Sequence, residues 1–109
     1  MTVFLVETYV IKPEKQAEFM AYKKKWKKFF VFKDRPELFK EVKSHKLLAQ
    51  LLGGNYGGYV ELWEFESLAD CERFFGRIMK SDYVTKLYPE FVSLVVPASW
   101  SMNTWNLMT

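Results

Sequence analysis

Two glutamates in strand-like surroundings are the residues of this chain best placed to move a proton. Glu7 stands in Thr2 to Ile11, where Val3, Leu5, Glu7, Tyr9 and Ile11 alternate with Phe4, Val6, Thr8 and Val10. Glu61 stands in Tyr59 to Phe65, where Tyr59, Glu61, Trp63 and Phe65 alternate with Val60, Leu62 and Glu64. A period of two sends alternate side chains to opposite faces, so Glu7 shares a face with Tyr9, and Glu61 with Trp63 and Phe65. A carboxyl group enclosed by apolar neighbours is desolvated, which lifts its pKa toward the range where it gives and takes protons at neutral pH. The bland reading is a carboxylate at a wet rim or in a structural network. His45, the sole histidine, is a third candidate, as base, acid or ligand, against a structural or surface role. Glu7, Glu61 and His45 are thus the candidate catalytic residues, with Tyr9, Trp63 and Phe65 as the substrate-binding surface beside them.

Other chemistries find less support. No Cys-x-x-Cys or His-x-x-x-His spacing accompanies His45, so no metal centre is expected. Cys71 falls at the centre of an apolar helical stripe, where a thiol acts as a small hydrophobe with a raised pKa. A single cysteine forms no internal disulfide and is compatible with a reducing cytoplasm, the expected location. The run Lys23-Lys24-Lys25-Trp26-Lys27-Lys28 suggests a phosphate-binding patch, but a helical wheel spreads these lysines over the arc opposite the aromatic residues. A solvated helix face accounts for them, and nucleic acid is not an expected partner. Gly53-Gly54-Asn55-Tyr56-Gly57-Gly58 precedes a strand instead of following one, unlike a phosphate loop. No cationic segment precedes an apolar run at the N-terminus, and no stretch approaches the ~20 apolar residues that span a bilayer. Neither export nor membrane insertion is expected.

The elements that must position these groups are legible in turn. The 109 residues, 50% hydrophobic, suit one domain over 1–109. Pro13 fits a first helical turn, and the spacing predicts a helix from Pro13 to Phe30 with Phe19, Tyr22, Trp26, Phe29 and Phe30 on one side. Asp34-Arg35-Pro36 interrupts the chain, a short helical turn through Leu38 and Phe39 follows, and Ser44 to Leu52 reads as a second strand. The glycine-rich loop joins it to the third strand as a hairpin. Ser67 is an N-cap with Asp70 three residues on, opening a helix over Leu68 to Lys80 that buries Leu68, Cys71, Phe74, Phe75, Ile78 and Met79. After Tyr88-Pro89-Glu90 the run Phe91 to Val96 reads as a fourth strand. Ala98 to Thr109, with Trp100 and Trp105, is too apolar for a free tail and is expected to dock.

Strand, helix, strand, strand, helix, strand is the order of a ferredoxin-like α+β fold with an antiparallel sheet. Two buried carboxylates without counter-charges would cost several kcal/mol each, so the helices are expected over Phe4, Val6, Val10, Val60 and Leu62. The face with Glu7 and Glu61 would then expose an apolar patch of Tyr59, Trp63 and Phe65, which a homodimer would cover. Glu61-Leu62-Trp63-Glu64-Phe65-Glu66-Ser67-Leu68-Ala69-Asp70 resembles the strand-to-helix junction of NIPSNAP-like proteins, and Tyr88 to Val96 resembles the entry to their last strand. Over nearly the whole chain the sequence resembles the dimeric α/β-barrel superfamily, which includes small proteins of the antibiotic-biosynthesis-monooxygenase type. The resemblance implies two sheets packed face to face around a cavity, and cofactor-free oxygenase or isomerase chemistry on an apolar or aromatic substrate. The alternative is a non-catalytic dimeric module. The superfamily's haem-degrading branch would have Asn, Trp and His where this chain has Glu7, Phe74 and a residue near Val84, so haem is not implied.

Overall fold

Alternating residues make the strands, and spacings of three and four make the helices. The computed structural model describes residues 1–29, 36–54 and 57–109. Strand β1 (Val3–Val10) passes through a 3₁₀ turn at Pro13–Lys15 into helix α1 (Gln16–Phe29). Strands β2 (Ser44–Ala49) and β3 (Gly58–Phe65) follow, then α2 (Leu68–Met79), two short helices α3 (Tyr83–Lys86) and α4 (Tyr88–Leu94), and β4 (Ser101–Asn106). The sheet is antiparallel throughout, in the order β2-β3-β1-β4. This is the ferredoxin-like α+β arrangement that the order of elements implies. The expectations for Phe30, Asp34, Arg35, Asn55, Tyr56 and the side chain of Phe29 lie outside the described residues.

Local chemistry fixes the junctions. Ser67 caps α2, its Oγ accepting from the Asp70 amide at 3.1 Å, while the Asp70 carboxylate pairs with Arg73 instead of returning to the first turn. Gly57 has φ +85°, and a Cβ there would lie 2.9 Å from the Ile11 carbonyl oxygen, so the turn into β3 takes only glycine. Arg77 of α2 grips Glu41 through two 2.6 Å hydrogen bonds, which ties down the turn carrying Phe39 into the core. Cys71 is buried on α2, and burial pushes its thiol pKa up.

Of the α2 residues expected to be buried, Leu68, Phe75 and Met79 are exposed, and two larger expectations are also corrected. Phe91 to Val96 is not the fourth strand: residues 88–94 form α4, with Pro89 in its first turn and Phe91 and Leu94, three apart, buried. A short apolar run carries no period of its own, and a proline two residues ahead suits a helix start as well as a strand boundary. Only its end pairs with the sheet, through an Ile11–Val95 bridge and a 2.8 Å bond from the Val96 amide to the Val10 carbonyl. The fourth strand is Ser101–Asn106, an edge strand on β1. Its mostly polar residues are common on an edge and hid it.

The second correction concerns the faces of the sheet. Tyr9, Trp63 and Phe65 are buried with Phe19, Tyr22 and Phe74, so the helices cover the face that carries Glu7 and Glu61. No cavity between two sheets can therefore hold these carboxylates. Burial of Glu61 under the helices is offset by a counter-charge on α1. Lys23 lies four residues after Phe19 and three before Trp26, inside the core-facing stripe of α1, and it reaches Glu61.

Candidate functional site

The register of β1 on β3 sets Glu7 directly opposite Glu61. Both carboxyls line a cavity of about 250 Å³ enclosed between the sheet and the helices of a single chain. Its walls are aromatic, chiefly Trp26, Phe39, Trp63, Phe74, Phe91 and Trp100. Phe75, Met79 and Met102, also in the wall, are each more than a third exposed and mark its opening to solvent.

Glu61 is 3% exposed and saturated with donors. The Tyr9 hydroxyl donates to its Oε2 at 2.6 Å, His45 Nε2 lies 2.7 Å from its Oε1, and Lys23 Nζ lies 3.2 Å from both oxygens. Burial alone would raise the pKa of such a carboxyl, but the His45 hydrogen bond, the Lys23 charge and the Tyr9 hydroxyl outweigh it and hold Glu61 at about 2. Glu61 therefore stays ionised. Burial and the neighbouring Glu61 charge push the Tyr9 phenol far above its ordinary range, so Tyr9 remains a donor.

Glu7 is half-buried and more weakly held. The Trp100 indole donates to its Oε2 at 2.7 Å, and the Trp63 indole reaches Oε1 only at 3.4 Å. Burial, and then the charge of Glu61, raise its pKa from 4.5 to about 7 against the pull of these indoles and Lys23. Two facing carboxyls with pKa values driven apart is the pattern that separates a proton carrier from a permanent charge.

The six residues singled out from the sequence divide by position. Glu7, Glu61 and Trp63 are in the cavity wall. His45 sits behind it, packed at a 40° tilt against Trp63 with ring centroids 4.0 Å apart, and acts on the wall through Glu61. Tyr9 and Phe65 are core residues, 2% and 0% exposed, Tyr9 touching the site through its hydrogen bond to Glu61 and its edge-to-face contact with Phe91. The sequence reading missed Lys23 and Trp100. Lys23 packs over the Trp26 ring at 4.5 Å, and its place in the aromatic stripe of α1 was the signal. Trp100 packs on Phe91 at 5.0 Å, and no signal short of the true position of β4 would have set it against Glu7. Among the described residues no three His, Cys, Asp or Glu side chains converge as a metal-binding group.

No protein-family model matches the sequence, and no curated protein matches it. Solved structures do. A NIPSNAP family protein from Agrobacterium tumefaciens superposes with a TM-score of 0.73 at 12% identity, over 99% of this chain and 94% of that one. The fold is the one NIPSNAP proteins have. A NIPSNAP domain protein from Burkholderia xenovorans gives 0.69 at 14% identity, over 99% and 95% of the two chains. An antibiotic biosynthesis monooxygenase gives 0.66 at 11% identity, over 98% and 99%. These are likenesses of architecture, and they bear out the resemblance first carried by residues 61–70. No described helix is long and apolar enough to cross a membrane.

Proposed function

We propose that this chain is a homodimeric enzyme that binds a small apolar, aromatic molecule and moves a proton on it without a cofactor, Glu7 taking and returning the proton. The contrast between the two carboxyls carries the reading. Glu61 is fixed as an anion by three side-chain donors, whereas Glu7 titrates near neutrality in the wall of an aromatic cavity. An open cavity with Glu7 in its wall supports an enzyme over a non-catalytic module. With Oε2 held by Trp100, the lightly bonded Oε1 is the oxygen that exchanges a proton with the substrate. His45 and Tyr9 act as positioning residues through Glu61, and Trp63 supplies a flat wall. Returning the proton to a different atom makes the reaction an isomerisation. A second reading, oxygenation of the deprotonated substrate by dioxygen, draws on the likeness to the antibiotic biosynthesis monooxygenase. The lone buried Cys71 accords with a reducing cytoplasm.

The test is hydrogen–deuterium exchange into a bicyclic aryl ketone such as 2-tetralone in D₂O, followed by NMR. The protein should accelerate exchange, and Glu7→Gln should lose about a hundredfold or more of that acceleration. Exchange no faster than in buffer, or equal rates for both proteins, would sink the proposal. Consumption of dissolved oxygen in the same mixture separates oxygenation from isomerisation.

A further inference from the structure

The far end of the β2–β3 hairpin takes no part in the cavity, and its chemistry is one-sided. Between Glu41 and Glu61 the sequence holds no Asp or Glu, and from Leu47 to Val60 it holds no charged residue at all. Leu51 and Leu52 at the tip are 92% and 90% exposed, and Leu47 and Leu48 on β2 are each more than a third exposed. So many leucines in so short a stretch are poorly placed in water unless something covers them. The polar groups of the turn are meanwhile met from within. The Gln50 amide closes the hairpin on the Gly58 carbonyl at 2.9 Å, and the Gln50 side chain donates to the carbonyls of Leu52 and Gly53. A turn whose carbonyls are bonded by its own side chain loses less on leaving water. Lys43 and Lys46, on the approach to the tip, are exposed and pair with no carboxylate among the described residues.

We infer that this tip docks on an anionic lipid surface, with Leu51 and Leu52 entering the boundary between headgroups and acyl chains and Lys43 and Lys46 meeting the headgroups. This is surface association and involves no spanning segment. Shape and area favour lipid over a protein partner. A stable protein interface takes about 800 Å² from each side and seats its anchors in fitted pockets. Two leucines on a projecting turn offer a fraction of that area, whereas a bilayer takes in an apolar tip without a matching pocket. Charge agrees, because the only fixed charges between Glu41 and Glu61 are the two lysines, and an anionic leaflet meets no carboxylate there. Depth is bounded too. β2 is an edge strand, and hydrocarbon would not satisfy the backbone groups of its open side, so the strand stays among the headgroups and only the tip goes deeper. Leu47 and Leu48 favour a hairpin leaning along the surface, which brings both lysines to the headgroups.

The experiment is co-sedimentation of the whole protein with vesicles of phosphatidylcholine alone and of phosphatidylcholine mixed with phosphatidylserine. The wild type should bind the anionic vesicles at least about tenfold more tightly than the neutral ones, the effect of two lysines near a charged leaflet. Leu51→Ser/Leu52→Ser should lose at least about tenfold of the affinity for the anionic vesicles. Side chains so exposed support little of the fold, so this variant should unfold in urea as the wild type does. Lys43→Gln/Lys46→Gln should lose most of the preference for anionic vesicles while keeping the binding to neutral ones. Four outcomes overturn the inference: wild type that sediments no more with vesicles than without them, equal wild-type binding to both vesicle types, a leucine variant that binds like the wild type, or a lysine variant that keeps the full anionic preference. A leucine variant that loses mass in light scattering, beside a wild type that ignores vesicles, would assign the tip to a second copy of the chain instead.

Discussion

Glu7 and Glu61 oppose each other in their effect on stability as well as in chemistry. The folded pKa of Glu7 is raised from 4.5 to about 7, so the native state binds its proton more tightly than the unfolded chain does. Stability from this group is complete below pH about 4.5 and is lost as pH rises through about 7. Glu61 is lowered from 4.5 to about 2, so its contribution is present above about 4.5 and disappears as pH falls toward 2. Glu7→Gln should remove the first effect and leave the second. The loss of wild-type stability between pH 5 and 8 in urea unfolding, on the order of 3 kcal/mol for a shift of this size, should then be absent from the variant. Subtracting the two curves cancels every other group that titrates over the same window. Parallel curves would mean that Glu7 ionises as an ordinary surface carboxylate.

The turn into β4 is the element where sequence and structure part, and one residue there carries strain. Ala98 has φ +67°, a left-handed conformation that costs an L-residue with a Cβ roughly 1–2 kcal/mol. Glycine removes that clash but gives the unfolded chain more freedom, worth about 0.4–1 kcal/mol in the other direction. Ala98→Gly should therefore stabilise the protein by up to about 1 kcal/mol in denaturant unfolding, and a clear destabilisation would show that the methyl group packs usefully. The same region shows what the sequence could reveal. β1, β3 and the capped start of α2 were legible because alternation and Ser67 are local signals. Residues 91–96 were not, since Phe91 and Leu94 satisfy a helix and a strand equally over so short a run. The polar Ser101–Asn106 owes its conformation to β1 beside it. At the site, the pairing of Glu7 with Glu61 followed from parity, but the face they occupy depended on Lys23. A charge in an apolar stripe is read as surface until its partner, 38 residues away along the chain, is known.

At the scale of the whole molecule, the burial of Tyr9, Trp63 and Phe65 under the helices leaves the other side of the sheet as the surface for the proposed dimer. Parity puts Phe4, Val6, Val60, Leu62 and Trp105 together there, with Lys46 and Glu64 toward the β2 side of the same face, and Trp105 is 60% exposed. A chain of 109 residues has little core to spare, and a face of this composition is better covered than wet. A standard interface takes about 800 Å² from each partner, a modest part of this chain's 7157 Å² of surface. The cavity belongs to one chain and opens on the opposite side of the sheet, so association and ligand binding should be separable. Light scattering coupled to size exclusion should give twice the 13.0 kDa chain mass for the wild type. Leu62→Glu places a carboxylate at the centre of the outer face between Val6 and Lys46, and it should give the single-chain mass while keeping the rate of exchange into 2-tetralone within about threefold. A monomeric wild type would remove the dimer outright. A monomeric variant that no longer accelerates exchange would mean that the partner holds the cavity in shape, because Leu62 itself points away from it.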